Sequence, residues 1–249
     1  MKSKESNILR KRFQPFLGAC HVQILAACCI GILSTNAPAF AQQAVAGCGS
    51  LANAYGPFDY RTEKDNKLKV VEAYHFTPIV EALIKGSTGS VGQDLDYTLR
   101  ASPNHHRALM AMQRLGEKLA TPQPHGAQYS VDCYFRRALQ FRPDDNTARL
   151  IYASFLVKHN RESEANEHLE YAIANTDNAF THYNAGLIYF DLKNYDKALK
   201  QAHAAMAMGL PRTELRDQLQ SVGKWSEPVA GVATSPNNAA SKPEDAASK

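Results

Sequence analysis

Side chains able to hold a metal or attack a bond are sparse in this chain. It has nine histidines and five cysteines in 249 residues. His75, His105 and His106 fall near Asp94 and Asp96 in the first half, and imidazoles with carboxylates are a donor set that suits a transition metal. The spacing works against it. His105 and His106 follow Pro103-Asn104, a turn that opens a helix, and adjacent helical residues point about 100° apart. Asp94 and Asp96 diverge in the same way. No His-Glu-x-x-His or Cys-x-x-Cys spacing occurs. Hydrolytic chemistry has as little support, with no Gly-x-Ser-x-Gly elbow in the chain. The glycine-rich stretch 86–92 lacks the lysine of a phosphate-binding loop and follows no buried strand. No catalytic residue, metal or cofactor is expected. A metal- or small-ligand-binding accessory role for this irregular half is the alternative reading, and a hydrolase hidden there is a third.

Cysteine chemistry depends on which of the five stay with the folded chain. Lys2, Lys4, Arg10, Lys11 and Arg12 precede an apolar run at 24–33, and Ala37-Pro-Ala39-Phe-Ala41 supplies an Ala-x-Ala site. The pattern is that of a cleavable export signal of the bacterial Sec type, cut before Gln42. The run is too short to cross a hydrocarbon core of ~30 Å, which needs about twenty residues. A periplasmic location follows as the expectation. Cys20, Cys28 and Cys29 would leave with the signal, and Cys48 and Cys133 would remain. An even pair in an oxidising compartment implies one disulfide. Closing so long a loop is worth up to about 4 kcal/mol. A rival use of Cys48 is lipidation, because Val45-Ala46-Gly47-Cys48 resembles a lipoprotein box. That box lies twelve residues beyond the apolar run, with a good Ala-x-Ala site upstream.

Charge sorts the same way. The net charge is +4, from 28 Lys and Arg against 24 Asp and Glu. The first 41 residues hold five of the bases and one acid, Glu5, which leaves 23 of each sign beyond them. A neutral remainder gives no electrostatic footprint for nucleic acid, which is not an expected partner. From Ser226 onward the residues are small and polar with three prolines and no aromatic, too little apolar surface to offset ordering, so 226–249 is expected to be a disordered tail.

The elements between these ends are helical. Residues 180–211, FTHYNAGLIYFDLKNYDKALKQAHAAMAMGLP, read as two amphipathic helices joined by a turn at 192–194. Small residues stand where the helices must touch: Ala185 and Gly186 in the first, Ala198, Ala202 and Ala205 in the second. Residues 149–172 repeat this hairpin 33 positions earlier, with Ala153, Ala165 and Ala172 at the places of Gly186, Ala198 and Ala205. Further back, Ser90, Val91, Leu99 and Pro103 recur as Ser130, Val131, Leu139 and Pro143. First helices at about 77–85 and 104–119 complete two more hairpins, with widened turns at 86–90 and 120–129.

The clearest copy resembles a tetratricopeptide repeat, W-x-x-L-G-x-x-Y followed by a turn, Y-x-x-A, A and P. Gly186, Tyr189, Tyr195, Ala198 and Ala205 match, whereas His182 replaces Trp and Ala185 replaces Leu. The resemblance implies an all-α, right-handed helical-hairpin solenoid of about four repeats over 71–225. A helix from Pro211 to about Ser221 would cap it, and an extended arm, 42–70, would precede it. It also implies a binding groove along the first helices. Carried over, the groove residues are Leu150, Ser154, Val157 and Lys158 in one repeat and Tyr183, Asn184, Leu187, Phe190 and Asp191 in the next. These aromatic and aliphatic anchors suit a peptide, or else pack on the neighbouring helix. The function expected is a non-catalytic periplasmic adaptor holding an envelope protein or peptide. A membrane enters only if Cys48 is lipidated.

Overall fold

The computed structural model describes residues 47–228, which contain ten α-helices and no strand. The expected export signal, its cleavage point and all of the tail beyond 228 lie outside the described residues. The helices are α1 (Asn66–His75), α2 (Pro78–Glu81), α3 (Val91–Ala101), α4 (His106–Leu119), α5 (Val131–Phe141), α6 (Asn146–Lys158), α7 (Glu162–Ala174), α8 (Ala179–Asp191), α9 (Tyr195–Ala207) and α10 (Glu214–Ser221). None is long and apolar enough to cross a membrane.

They pack in consecutive pairs, α2 with α3, α4 with α5, α6 with α7 and α8 with α9, and α4, α6, α8 and α10 are successive neighbours. The chemistry of each junction repeats. Ser90 and Ser130 cap α3 and α5 by accepting from the backbone N–H three residues on, which satisfies a donor the helix leaves open. His105 and Asp145 do the same for α4 and α6. Every first helix of a pair ends at a left-handed residue, Leu83, Ala120, Asn160 or Lys193, with φ of 58, 49, 57 and 57°. Where the helices cross, side chains are small. Ala153, Ala165, Ala172, Ala185 and Ala198 are fully buried, and a Cβ on Gly186 would meet Leu215 Cδ2 at 2.4 Å. Glycine there lets α10 ride against α8 and bury Leu215 and Leu219.

Three boundaries differ from expectation. The arm is not extended to residue 70, because Asp65 caps α1 by accepting from Lys67 N, and Leu68 and Val71 bury against Tyr60 and Ala101. The first hairpin has only one turn in its first helix, since Leu83 turns left-handed two residues after its end. Pro211 does not start the last helix, which begins at Glu214.

The described part of the arm is fastened to α5 and to the end of α3. Cys48 is bonded to Cys133 of α5, with Cα atoms 5.2 Å apart. Beside that link the buried Arg137 donates through Nη1 to the carbonyls of Cys48 (2.9 Å) and Ser50 (2.8 Å) and lies over the Tyr129 ring. Further along, Phe58 N donates to Ala101 O and Ser102 Oγ to Phe58 O, which ties the arm to the end of α3.

Two outcomes follow from this docking. Gly56 has φ of +100°, and a Cβ on it would stand 2.3 Å from the Ala101 carbonyl oxygen. Gly56→Ala should therefore cost about 2–3 kcal/mol in urea unfolding, from strain and displacement of backbone. Replacing Cys48 and Cys133 together by Ala should lower stability by up to about 4 kcal/mol, and arm amides should lose hydrogen-exchange protection before those of α8 and α9.

Candidate functional site

Helical spacing selects one outward stripe on each first helix. On α8, Phe180, Asn184, Leu187 and Asp191 are separated by four, three and four residues and so share a face. The equivalent stripe on α6 contains Ile151, Ser154 and Lys158, and that on α4 contains Met110, Arg114 and Glu117. Lys158 Nζ reaches Glu117 Oε1 at 3.0 Å, so the α4 and α6 stripes open to the same side. Partial desolvation raises the carboxyl of the exposed Asp191 above its ordinary range, and the Lys158 charge opposes that rise. One ammonium thus serves carboxylates on two flanking helices.

The expected groove residues divide on this geometry. Lys158, Asn184 and Asp191 are exposed, and Ser154, Val157, Leu187 and Phe190 are half-buried, with the Phe190 ring packed edge-on to Tyr195. Leu150 and Tyr183 are core residues, each only 6% exposed. Tyr183 is held further by donating from its hydroxyl to Glu214 Oε2 of α10 at 2.9 Å. Both sit one helical step inside the stripe, under the neighbouring helix. Phe180, 51% exposed, belongs to the face in their place. Its position four residues before Asn184 was the available signal.

The histidines and carboxylates of the first half are drawn apart. His75 Nδ1 lies 3.0 Å from Asp94 Oδ1, and Asp94 also accepts from Ser87 N and from Thr88 N and Oγ1. Those contacts outweigh burial and hold the Asp94 carboxyl below its ordinary range. The glycine-rich turn therefore spends two backbone N–H groups on a carboxylate of its own chain. Asp96 accepts from Tyr134 Oη, Gln128 N and Arg100 Nε. His105 Nε2 donates to Glu72 Oε1 at 3.0 Å. His106 Nε2 turns instead to the Asp145 carboxylate at 2.8 Å. No group of three His, Cys, Asp or Glu suited to a metal occurs among the described residues.

Where the arm meets the starts of α4 and α6, a polar junction forms that short-range patterning does not reveal. Asn104 Nδ2 donates to Asp59 Oδ1 and to Asp145 Oδ2, both at 2.8 Å, while its Oδ1 accepts from Tyr60 N. Arg61 pairs with Asp59 through Nη2 at 2.8 Å and with Asp144 through Nη1 at 2.9 Å. The Arg61 hydrogen bond, opposed by burial, holds the Asp59 carboxyl far below the usual range. The Tyr60 ring lies against both His105 and His106, with centroids 4.1 and 5.0 Å away. Cys48, its sulfur committed to Cys133, has no thiol left to carry a lipid.

On the other side of α6, Arg149 lies over the Tyr171 ring and approaches His168 Nδ1 at 3.2 Å. Burial, with the Arg149 charge beside it, lowers the His168 pKa to about 4, and burial lowers that of His105 despite Glu72. No family model, curated protein or solved structure matches the chain.

Both imidazoles are neutral in the fold and take a proton when it opens. Their contribution is complete above an unfolded pKa of about 6.5 and is lost as pH falls toward the folded value. Urea stability should drop between pH 6.5 and 4, with His168 accounting for up to about 3 kcal/mol. His168→Gln should flatten that part of the profile and leave the acid limb below it, set by Asp59 and Asp145, in place.

Proposed function

We propose that the chain is an exported, non-catalytic adaptor of tetratricopeptide-repeat type, a right-handed solenoid of helical hairpins that holds a protein or peptide of the bacterial envelope along its first helices. The observation that carries this reading is the open face shared by α4, α6 and α8. It places half-buried Ile151 and Leu187 and exposed Phe180 among the polar heads of Ser154, Asn184 and Asp191. Apolar anchors ringed by hydrogen-bonding groups suit an extended or helical segment of another protein. The left-handed residue ending each first helix and the buried alanines at each crossing support the repeat assignment. A disulfide between Cys48 and Cys133 agrees with an oxidising compartment. The accessory metal-binding alternative is opposed by the separate carboxylate partners of His75, His105 and His106.

Crosslinking the exported protein in its own envelope tests this. One dominant envelope protein should be captured, and Phe180→Ser with Asn184→Arg should abolish the capture while changing stability by no more than about 0.5 kcal/mol, because both positions are exposed. Tyr183→Ala cannot serve as the test, since truncating a buried aromatic costs about 3–5 kcal/mol. Capture that survives the Phe180 and Asn184 changes rejects the groove.

A further inference from the structure

The two ends of the helical stack are finished differently. Helix α10 closes one end and buries Leu215 and Leu219. At the other, α1 rests on α3, and α2 on α3 and α4, and among the described helices none packs comparably on their outer sides. Four large apolar side chains are left exposed there: Val70 at 49%, Tyr74 at 63%, Ile79 at 53% and Ile84 at 75%. Val70 and Tyr74 follow Lys67 by three and seven residues, a single stripe of α1.

The acids at this end are engaged by groups of the chain itself. Glu63 accepts from Asp59 N, Asp65 caps α1, Glu72 accepts from His105, and Glu81 pairs with Arg107. Lys64, Lys67, Lys69 and Lys85 are exposed and form no ion pair among the described residues. Lys64 and Lys67 lie over the Tyr60 and Phe58 rings. Unpaired cations around open apolar side chains are the chemistry of a surface that meets anionic headgroups, with lysine stems lying along the apolar boundary and their ammonium groups on phosphates.

We propose that this end of the protein docks on an anionic lipid surface, with Val70, Tyr74, Ile79 and Ile84 entering the headgroup boundary and Lys64, Lys67, Lys69 and Lys85 pairing with lipid phosphates. A second copy is disfavoured as occupant, because two-fold apposition would set like charges against each other. The docking needs no lipid on Cys48 and is independent of the groove.

The test uses the protein as recovered from its own cells. Trp225 is the single tryptophan and packs on His203 of α9, which leaves Tyr74→Trp as a local reporter. Its emission should be quenched by vesicles of brominated phosphatidylglycerol and not by vesicles of brominated phosphatidylcholine. Wild-type Trp225 should be affected little by either. Adding Lys69→Glu and Lys85→Glu should weaken the response at least about tenfold. No quenching at position 74, equal quenching by both lipids, or quenching that survives the charge reversals would overturn the proposal. So would a shift of the reporter by polyglutamate where anionic vesicles produce none, which would assign the surface to an acidic protein.

Discussion

Two buried carboxylates, Asp59 and Asp145, face one side-chain amide, and the first half of the molecule is arranged around that meeting. A buried charge without partners is costly enough to be avoided or neutralised. Here Asn104 divides its two N–H donors between them, Arg61 neutralises one, and His106 donates to the other. The three parties belong to the arm and to the starts of two successive first helices. Fixing them fixes where the arm runs, and so where Cys48 meets Cys133 and where α1 settles on α3. Removing the amide would leave both carboxylates short of a donor in a site closed to water, a larger loss than that of an average hydrogen bond.

The same junction shows how the residues best suited to chemistry are engaged in the fold. An imidazole beside a carboxylate is a common arrangement for moving protons. Yet His105 spends Nδ1 on the Ala108 backbone and Nε2 on Glu72, so neither nitrogen is free for a substrate. His75 is stacked on Tyr97 with its Nδ1 on Asp94. These are fasteners of turns and of α1. The surfaces left open are the shared face of α4, α6 and α8 and the basic, apolar end at α1 and α2, and both suit association with another body.

Much of the fold was legible in the sequence because its information is local. Small residues recurring at fixed intervals, and the echo of Ser90 and Pro103 at Ser130 and Pro143, marked the helices from α3 to α9. Helix α1 escaped because lysines interrupt its apolar stripe, leaving Leu68 and Val71 as its buried contacts. Leu150 and Tyr183 were misplaced because the open and covered faces of a helix differ by one step of about 100°, and only the neighbouring helix decides which is which. Arg137 reads as a surface residue beside Arg136. Its burial depends on carbonyls of Cys48 and Ser50, 89 and 87 residues away. Pairings at such distance leave no periodic trace.

The arm also sets a schedule. Arrays of helical hairpins owe their stability to contacts between neighbours in the chain, and such chains can order progressively from either end. Here the segment at Cys48 finds its anchor only at Cys133, 85 positions later. During synthesis, the earliest part of the folded region to emerge must wait, unfastened, until α5 has followed it. Helices α6 to α9, joined by short turns, can form with no such delay.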